Sequence, residues 1–420
     1  MMFKRLYFSI SLSLFSLLSF SNASPKDLWV KQFGTNTFDS AASVATDPSG
    51  NIYVTGSTKG TLPGQVNLGQ DDVFIRKYGS KGNELWTKQF GTDSFDRAAS
   101  VATDSSGNVY VAGDTRGTLP GQANSGFWDV FIRKYDSNGT ELWTQQFGTS
   151  DWDTADLIAT DPSGNVYVVG STEGALPGQV NLGSVDIFVR KYDSLGNELW
   201  TKQFGSNKWD TADLVTTDSS GNVYVAGFGT LLGQVNLGQD DVFIRKYDSK
   251  GNDLWTKQFR STSDVYARLL AVDASGNVYV VGSTEGALPG QVNLGSVDIF
   301  VRKYDSLGNE LWTKQFGSSE LDEANSISTD ASGNIYVIGS TEGALPGQVN
   351  LGSVDIFVRK YDSLGNELWT KQFGSNKWDT ADLVATDASG NVYVAGDTKG
   401  TLPGQVNLGE LDAFLYKFAP

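Results

Sequence analysis

A tryptophan anchor that returns at a fixed step, four strand-like runs inside every repeat, and no surviving helical period predict an all-β chain. The expected architecture is a single seven-bladed β-propeller with four antiparallel strands per blade. The anchor is a Leu-Trp dipeptide, placing Trp29, Trp86, Trp143, Trp200, Trp255, Trp312 and Trp369 57 residues apart, except for one step of 55 between Trp200 and Trp255.

The elements follow in order. In the first repeat "ASVATD" is the first strand, and the turn "PSG" leads to "NIYVTGST". A longer loop, "KGTLPGQVNLGQ", leads to "DDVFIRKY", and the turn "GSKGN" leads to "ELWTKQFG". Val, Ile, Tyr, Phe and Trp suit a pleated, packed surface, while Gly, Asn, Asp and Ser supply the tight turns between them. Seven such units with no polar cap at either end point to a closed ring instead of an open stack. The chain ends support closure. "DAFLYKFAP" stops after a third strand, and "KDLWVKQFG" near the start is a fourth strand with no repeat before it. The last blade is therefore expected from about 381–420 plus 26–33.

Residues 1–23 read as a cleaved secretory signal: a basic start with Lys4 and Arg5, an apolar run, and small residues before Ala23. The run is short for a span of roughly 20 apolar residues, and no later segment could cross a bilayer as a helix. The propeller is expected over 24–420, exported to a periplasm, a cell surface or the medium, and monomeric. The chain has no Cys, so its stability must come from burial. Its formal charge of −16 becomes −18 without the leader, 30 basic against 48 acidic residues. That field repels phosphate backbones, and nucleic acid is excluded as a partner.

The stretches "TDPSGNIYVTGST" and "DVFIRKYGSKGNELW" closely resemble the bacterial SBBP repeat family of seven-bladed propellers, and the resemblance recurs in every repeat. "SGNVYVAG" is also similar to NHL-type propeller repeats, less closely. The SBBP resemblance implies a propeller and export. It implies no activity, so no catalytic residue carries over.

Antiparallel order sorts the loops onto two faces. Turns of the "DPSGN" and "DSKGN" type emerge on the first. The longer "LPGQVNLG" loops and the blade-to-blade connections emerge on the second, where binding groups are expected. The seven anchor tryptophans read as packing between blades. Trp128, Trp152, Trp209 and Trp378 break the repeat and fall in second-face loops, with Phe38 and Phe95 matching the position of the last three. Exposed rings beside polar groups suit sugar stacking or a protein hot spot, so these six are the ligand-binding candidates.

The Asp that follows this aromatic position, at Asp39, Asp96, Asp153, Asp210, Asp322 and Asp379, could offer oxygens to calcium at the channel mouth. The competing reading is that each caps loop N–H groups, and no cofactor is otherwise indicated. Turn residues such as Asp47 read as hairpin chemistry. The amides Gln65 and Asn67, with Gln179 and Asn181, could form a lectin-like surface or satisfy their own loops. Arg76 and Lys77 are expected on opposite faces of the blade, paired with acids along its edges.

The absence of His and Cys removes the common triads and histidine-ligated zinc. "DSLGNELW" resembles the Asp-box of sialidases with both intervals one residue too long, and no blade shows a distinctive carboxylate pair for a glycoside hydrolase. Residues 171–206, 283–318 and 340–375 are identical. Identical blades suit multivalent binding better than one asymmetric active site. The expectation is a non-enzymatic binding propeller for protein or extracellular-matrix adhesion. Glycan binding is the alternative, followed by carboxylate-based glycoside hydrolysis.

Overall fold

Each repeat turns back on itself at a turn its own side chains build. The Asp47 carboxylate accepts hydrogen bonds from the Ser49 and Asn51 backbone N–H groups at 2.9 Å, from Asn51 Nδ2 at 2.8 Å and from the Tyr53 hydroxyl at 3.2 Å. Gly50 supplies the positive φ of 76° that the turn needs. Strand β2 (Asp39–Thr46) thereby meets β3 (Ile52–Thr58), which pairs with β4 (Asp72–Tyr78) and then β5 (Glu84–Phe90). The computed structural model describes residues 26–419 except 230, 232–241, 260–264 and 388. The leader read at 1–23 and most of the shortened loop in the fourth repeat lie outside these residues.

Among the described residues twenty-eight strands, numbered in chain order, form seven four-stranded antiparallel sheets in a ring. The seventh contains β26 (Asp379–Thr386), β27 (Val392–Thr398), β28 (Asp412–Phe418) and β1 (Asp27–Phe33), with β1 on the outside. The N-terminal strand closes this blade, as the sequence predicts: Trp29 lies opposite Lys417 and Phe33 opposite Ala413. No helix of the described residues is long and apolar enough to cross a membrane.

The first strand of every blade lies innermost, against its counterparts in the neighbouring blades. Its pairing skips one residue: the register of β2 on β3 shifts between Ala41 and Ser43, leaving Ala42 bulged. At this bulge the two strands of the blade approach so closely that a Cβ on Gly56 would sit 1.9 Å from the Ser40 carbonyl oxygen.

The inter-blade seams repeat a fixed set of contacts. Trp86 packs between Tyr53 of its own blade and Tyr135 of the next, and its indole N–H donates to the Ser137 carbonyl at 3.2 Å. Phe90 meets Phe131 edge-on at 5.7 Å. The anchor tryptophans are packing residues, as expected.

Arg76 and Lys77 point to opposite sides of the blade and pair with acids, Arg76 with the half-exposed Glu84 of the outer edge strand and Lys77 with the buried Asp47. Arg76 lies 4.4 Å from the Phe33 ring of the preceding blade and 3.6 Å from Glu84, with Nε donating to Thr87 at 2.8 Å. Lys77 Nζ donates to Ser137 O of the following blade at 2.7 Å and lies 3.8 Å from Asp47. Both are nearly fully buried. Burial lowers the Lys77 pKa below its ordinary value, and the Asp47 charge opposes that shift.

Candidate functional site

Among the described residues the second face is assembled by a short parallel bridge at six of the junctions. The residue just before the third strand of one blade pairs with the aromatic position that opens the next, as in Trp128 with Trp152, Val185 with Trp209 and Val354 with Trp378; at the closing junction Leu411 pairs with Phe38. Backbone geometry therefore fixes where these rings stand. Trp209 is 68 % exposed, Phe38 43 % and Trp152 41 %, while Phe95 and Trp378 are half-buried.

Trp128 departs from the expected exposed ring: only 1 % of it is accessible. It occupies the bridge position before the third strand, packed 6.0 Å from Trp152. The guanidinium of Arg97 lies 4.7 Å from its ring, and that of Arg116 4.8 Å. Arg116 also approaches Phe95 at 5.3 Å, Phe127 at 4.6 Å and Trp152 at 5.8 Å. This aromatic cluster already holds a cation from its own chain. Lys59 lies over Phe38 and Lys399 over Trp378 in the same way. Of the six rings, Trp209 alone has neither a ring nor a cation against it among the described residues.

The Asp39 series turns inward. Asp39 Oδ2 accepts the Thr35 backbone N–H at 2.5 Å and its hydroxyl at 2.8 Å, and Asp96, Asp153, Asp210, Asp322 and Asp379 repeat this grip on the Thr or Ser four residues earlier. All six are essentially buried. Burial raises the carboxyls of Asp96, Asp153 and Asp322, and hydrogen bonds from neighbouring hydroxyls and N–H groups draw them back. Among the described residues no three acidic side chains gather as a metal cluster. The geometry is that of loop capping.

The loop amides are likewise turned to their own blade. Gln65 accepts the Gln89 backbone N–H at 3.0 Å, Gln89 accepts that of Leu62 at 3.0 Å, and Asn67 Nδ2 donates to Lys59 O at 2.9 Å. What these loops present to solvent is apolar. Val66, Val180, Val292, Val349 and Val406 are 67–70 % exposed, each followed two residues later by a Leu that is 37–52 % exposed. The first face offers fewer such groups, Leu195, Leu307 and Leu364 in its turns and the Leu near the start of most outer strands, such as Leu85 and Leu142.

A further signal lies on the innermost strand. The three copies identical over 36 residues differ there almost throughout: "DTADLIAT", "VYARLLAV" and "DEANSIST". The bulged position reads Ala42, Ala99, Asp156, Asp213, Arg268, Asn325 and Asp382 around the ring. Aligning the copies shows this contrast, which a search for outlying tryptophans passes over.

The family model described as SBBP, beta-propeller repeat, matches residues 28–63, 85–119, 142–176, 254–288, 311–345 and 368–403. The repeat between the third and fourth matches, shortened by two residues, is passed over. An uncharacterized WD repeat-containing protein, L264, of Acanthamoeba polyphaga mimivirus is 23 % identical over 88 % of this chain and 36 % of its own length. The regulatory protein FlaEY of Caulobacter vibrioides is 26 % identical over 63 % of this chain and 31 % of its own. The chain thus spans about a third of the length of these curated relatives. Among solved structures, the polysaccharide lyase Uly1 superposes with a TM-score of 0.53 at 12 % identity, covering 90 % of this chain and 89 % of the other, a likeness of fold.

Proposed function

We propose, from the premise that this chain belongs to the SBBP beta-propeller repeat family, that it is a non-catalytic binding propeller that adheres to protein or extracellular-matrix ligands through its second face. One observation carries the reading: Trp209 stands 68 % exposed, with no ring or cation against its indole among the described residues, on the face that also presents the repeated Val and Leu of the "LPGQVNLG" loops. A large amphipathic ring with apolar neighbours is the composition of a protein hot spot. Near-identical loops repeated around a ring favour multivalent engagement, in which several weak contacts combine. The basic start and apolar run of residues 1–23 support export, and the expected state is a monomer.

The adhesion reading is tested by binding of the chain to immobilised matrix proteins, beside a Phe38→Ala/Trp152→Ala/Trp209→Ala variant. Loss of binding in a variant that still folds supports it; unchanged binding refutes it. Glycan binding is the second reading, favoured by the same free indole of Trp209, since a flat ring stacks on a sugar as well as on a protein side chain. Competition by free sugars separates the two. Turnover of a glycoside substrate would replace both with the hydrolase reading.

A further inference from the structure

At the seam between the sixth and seventh blades a buried hydroxyl is left without the contact that its counterparts make at three other seams. At three seams the next-to-last residue of the second strand accepts an N–H from the innermost strand of the next blade. Ser57 Oγ accepts Ala98 N at 3.2 Å, Ser283 Oγ accepts Ala324 N at 3.2 Å, and Asp397 Oδ1 accepts Ala41 N at 3.0 Å. The counterpart in the sixth blade is Ser340, on β23 (Ile335–Thr341), and the matching N–H belongs to Ala381. That bond is absent. Ser340 is 5 % exposed, and its hydroxyl has no partner. Asn325, the bulged residue of β22 (Asp322–Thr329), donates across the seam to Ala381 O at 2.8 Å instead.

The hydroxyl lines a cleft of about 310 Å³ at the second-face end of the seam, of the size of a small-ligand pocket. Asp382, Asp397, Glu323, Glu342 and Trp378 line it beside Ser340. No Lys or Arg lines it, although Lys399 rests on the Trp378 ring outside. Asp397 is committed to its own seam, accepting from Ser40 Oγ at 2.9 Å and Ala41 N. Asp382 accepts no hydrogen bond from the described residues. Burial, then the charge of Asp397, push its carboxyl well above the ordinary range.

We propose that this cleft binds an organic cation, a primary ammonium or a guanidinium, with Asp382 as counter-ion, the Ser340 hydroxyl as hydrogen-bond acceptor for its N–H, and Trp378 as the packing wall. A carboxylate without a partner beside a second carboxylate is costly, and a cation in the cleft would relieve both. The same cation would complete Ser340, and an indole face suits it. This site is independent of the adhesion reading and shares with it only the face, because the adhesion variant leaves Trp378 and both acids intact.

The test is calorimetric titration of the full chain with putrescine, N-acetyl-lysine amide and N-acetyl-arginine amide, with N-acetyl-glutamine amide and methyl glucoside as neutral controls. Saturable binding of at least one cation is expected and none of the neutral probes. Asp382→Asn should weaken it at least tenfold and Ser340→Ala several-fold, while Trp209→Ala leaves it unchanged; thermal unfolding checks that each variant is folded. If putrescine binds as well as the blocked amino acids, the ligand is a free amine; if only the blocked amino acids bind, it is a side chain of a partner. Either upholds the site. No saturable cation binding, equal binding of the neutral probes, wild-type affinity in folded Asp382→Asn, or tighter binding of calcium chloride than of the amines would overturn the proposal.

Discussion

Replacing Phe33 and Phe90 by alanine, one at a time, would separate the closing seam from an ordinary one. The two rings have matching surroundings. Each is 7 % exposed. Phe33 meets Phe74 edge-on at 5.8 Å with the Arg76 guanidinium at 4.4 Å, and Phe90 meets Phe131 at 5.7 Å with Arg133 at 4.1 Å. Truncating a buried Phe costs about 3–5 kcal/mol, of which the cation–π contact supplies about 1 kcal/mol. The global loss in a denaturant titration should therefore be similar. The local consequence should differ. Phe90 sits on β5, covalently tied to β4 by a tight turn, whereas Phe33 sits on β1, which is joined to β28 only by hydrogen bonds and side-chain contacts. Phe33→Ala should let β1 detach without unfolding the ring. The β28 amides that face β1 should then exchange about a hundredfold faster or more, at roughly 1.4 kcal/mol per factor of ten. In Phe90→Ala the β4 amides should keep most of their protection beyond the global loss. Hydrogen exchange read by mass spectrometry decides it. Equal acceleration in the two variants would refute the view that β1 is a separately releasable closure.

Asp47→Ala should cost about 3 kcal/mol in urea unfolding, because four donors and the buried Lys77 lose their acceptor; the same change at the more exposed turn residue Asp193 should cost distinctly less. Gly170→Ala would drive a Cβ to within 1.9 Å of the Thr154 carbonyl and should lower the melting temperature sharply, whereas Gly178→Ala, with φ 76° and open space around it, should cost only about 1 kcal/mol of backbone strain. Asp114 should make stability depend on pH: burial, opposed by Arg97, raises its carboxyl to about 7 from 3.8. Its contribution is fully present below pH 3.8 and is lost as pH rises through about 7, at up to roughly 1.4 kcal/mol per pH unit. Asp114→Asn should therefore be more stable than the parent at pH 8 with the gap closing at pH 4, and an identical gap at both pH values would contradict the assignment.

The ring and its closure were legible because they rest on local, repeated signals. Trp29 without a preceding repeat and Phe418 without a following strand name each other as partners before any coordinates. The capping role of Asp39 and its counterparts was one of two readings, and distance to Thr35 chooses it. Trp128 was not legible. Nothing within its loop says that Arg97 and Arg116, distant in its own repeat, converge on it or that Trp152 of the next blade packs beside it. Ser340 was hidden for the same reason. The 35 residues that follow it are identical to those that follow Ser283, and the difference comes from Asn325 and the next blade. Side chains whose fate depends on a seam are beyond what one repeat can tell.

The seam contacts also bear on cooperativity. Lys77 takes its acceptor from Ser137, Trp86 leans on Tyr135, and Arg76 rests on Phe33, so each blade leaves part of its interior to be finished by both neighbours. In an open array of repeats the terminal units can fray, with stability growing one repeat at a time. Here no unit is terminal. Separating two blades takes the carbonyl acceptor from an ammonium and an indole N–H and the aromatic face from a guanidinium at once. The expected behaviour is a single transition for the whole ring, in which a defect in one blade lowers the stability of all seven.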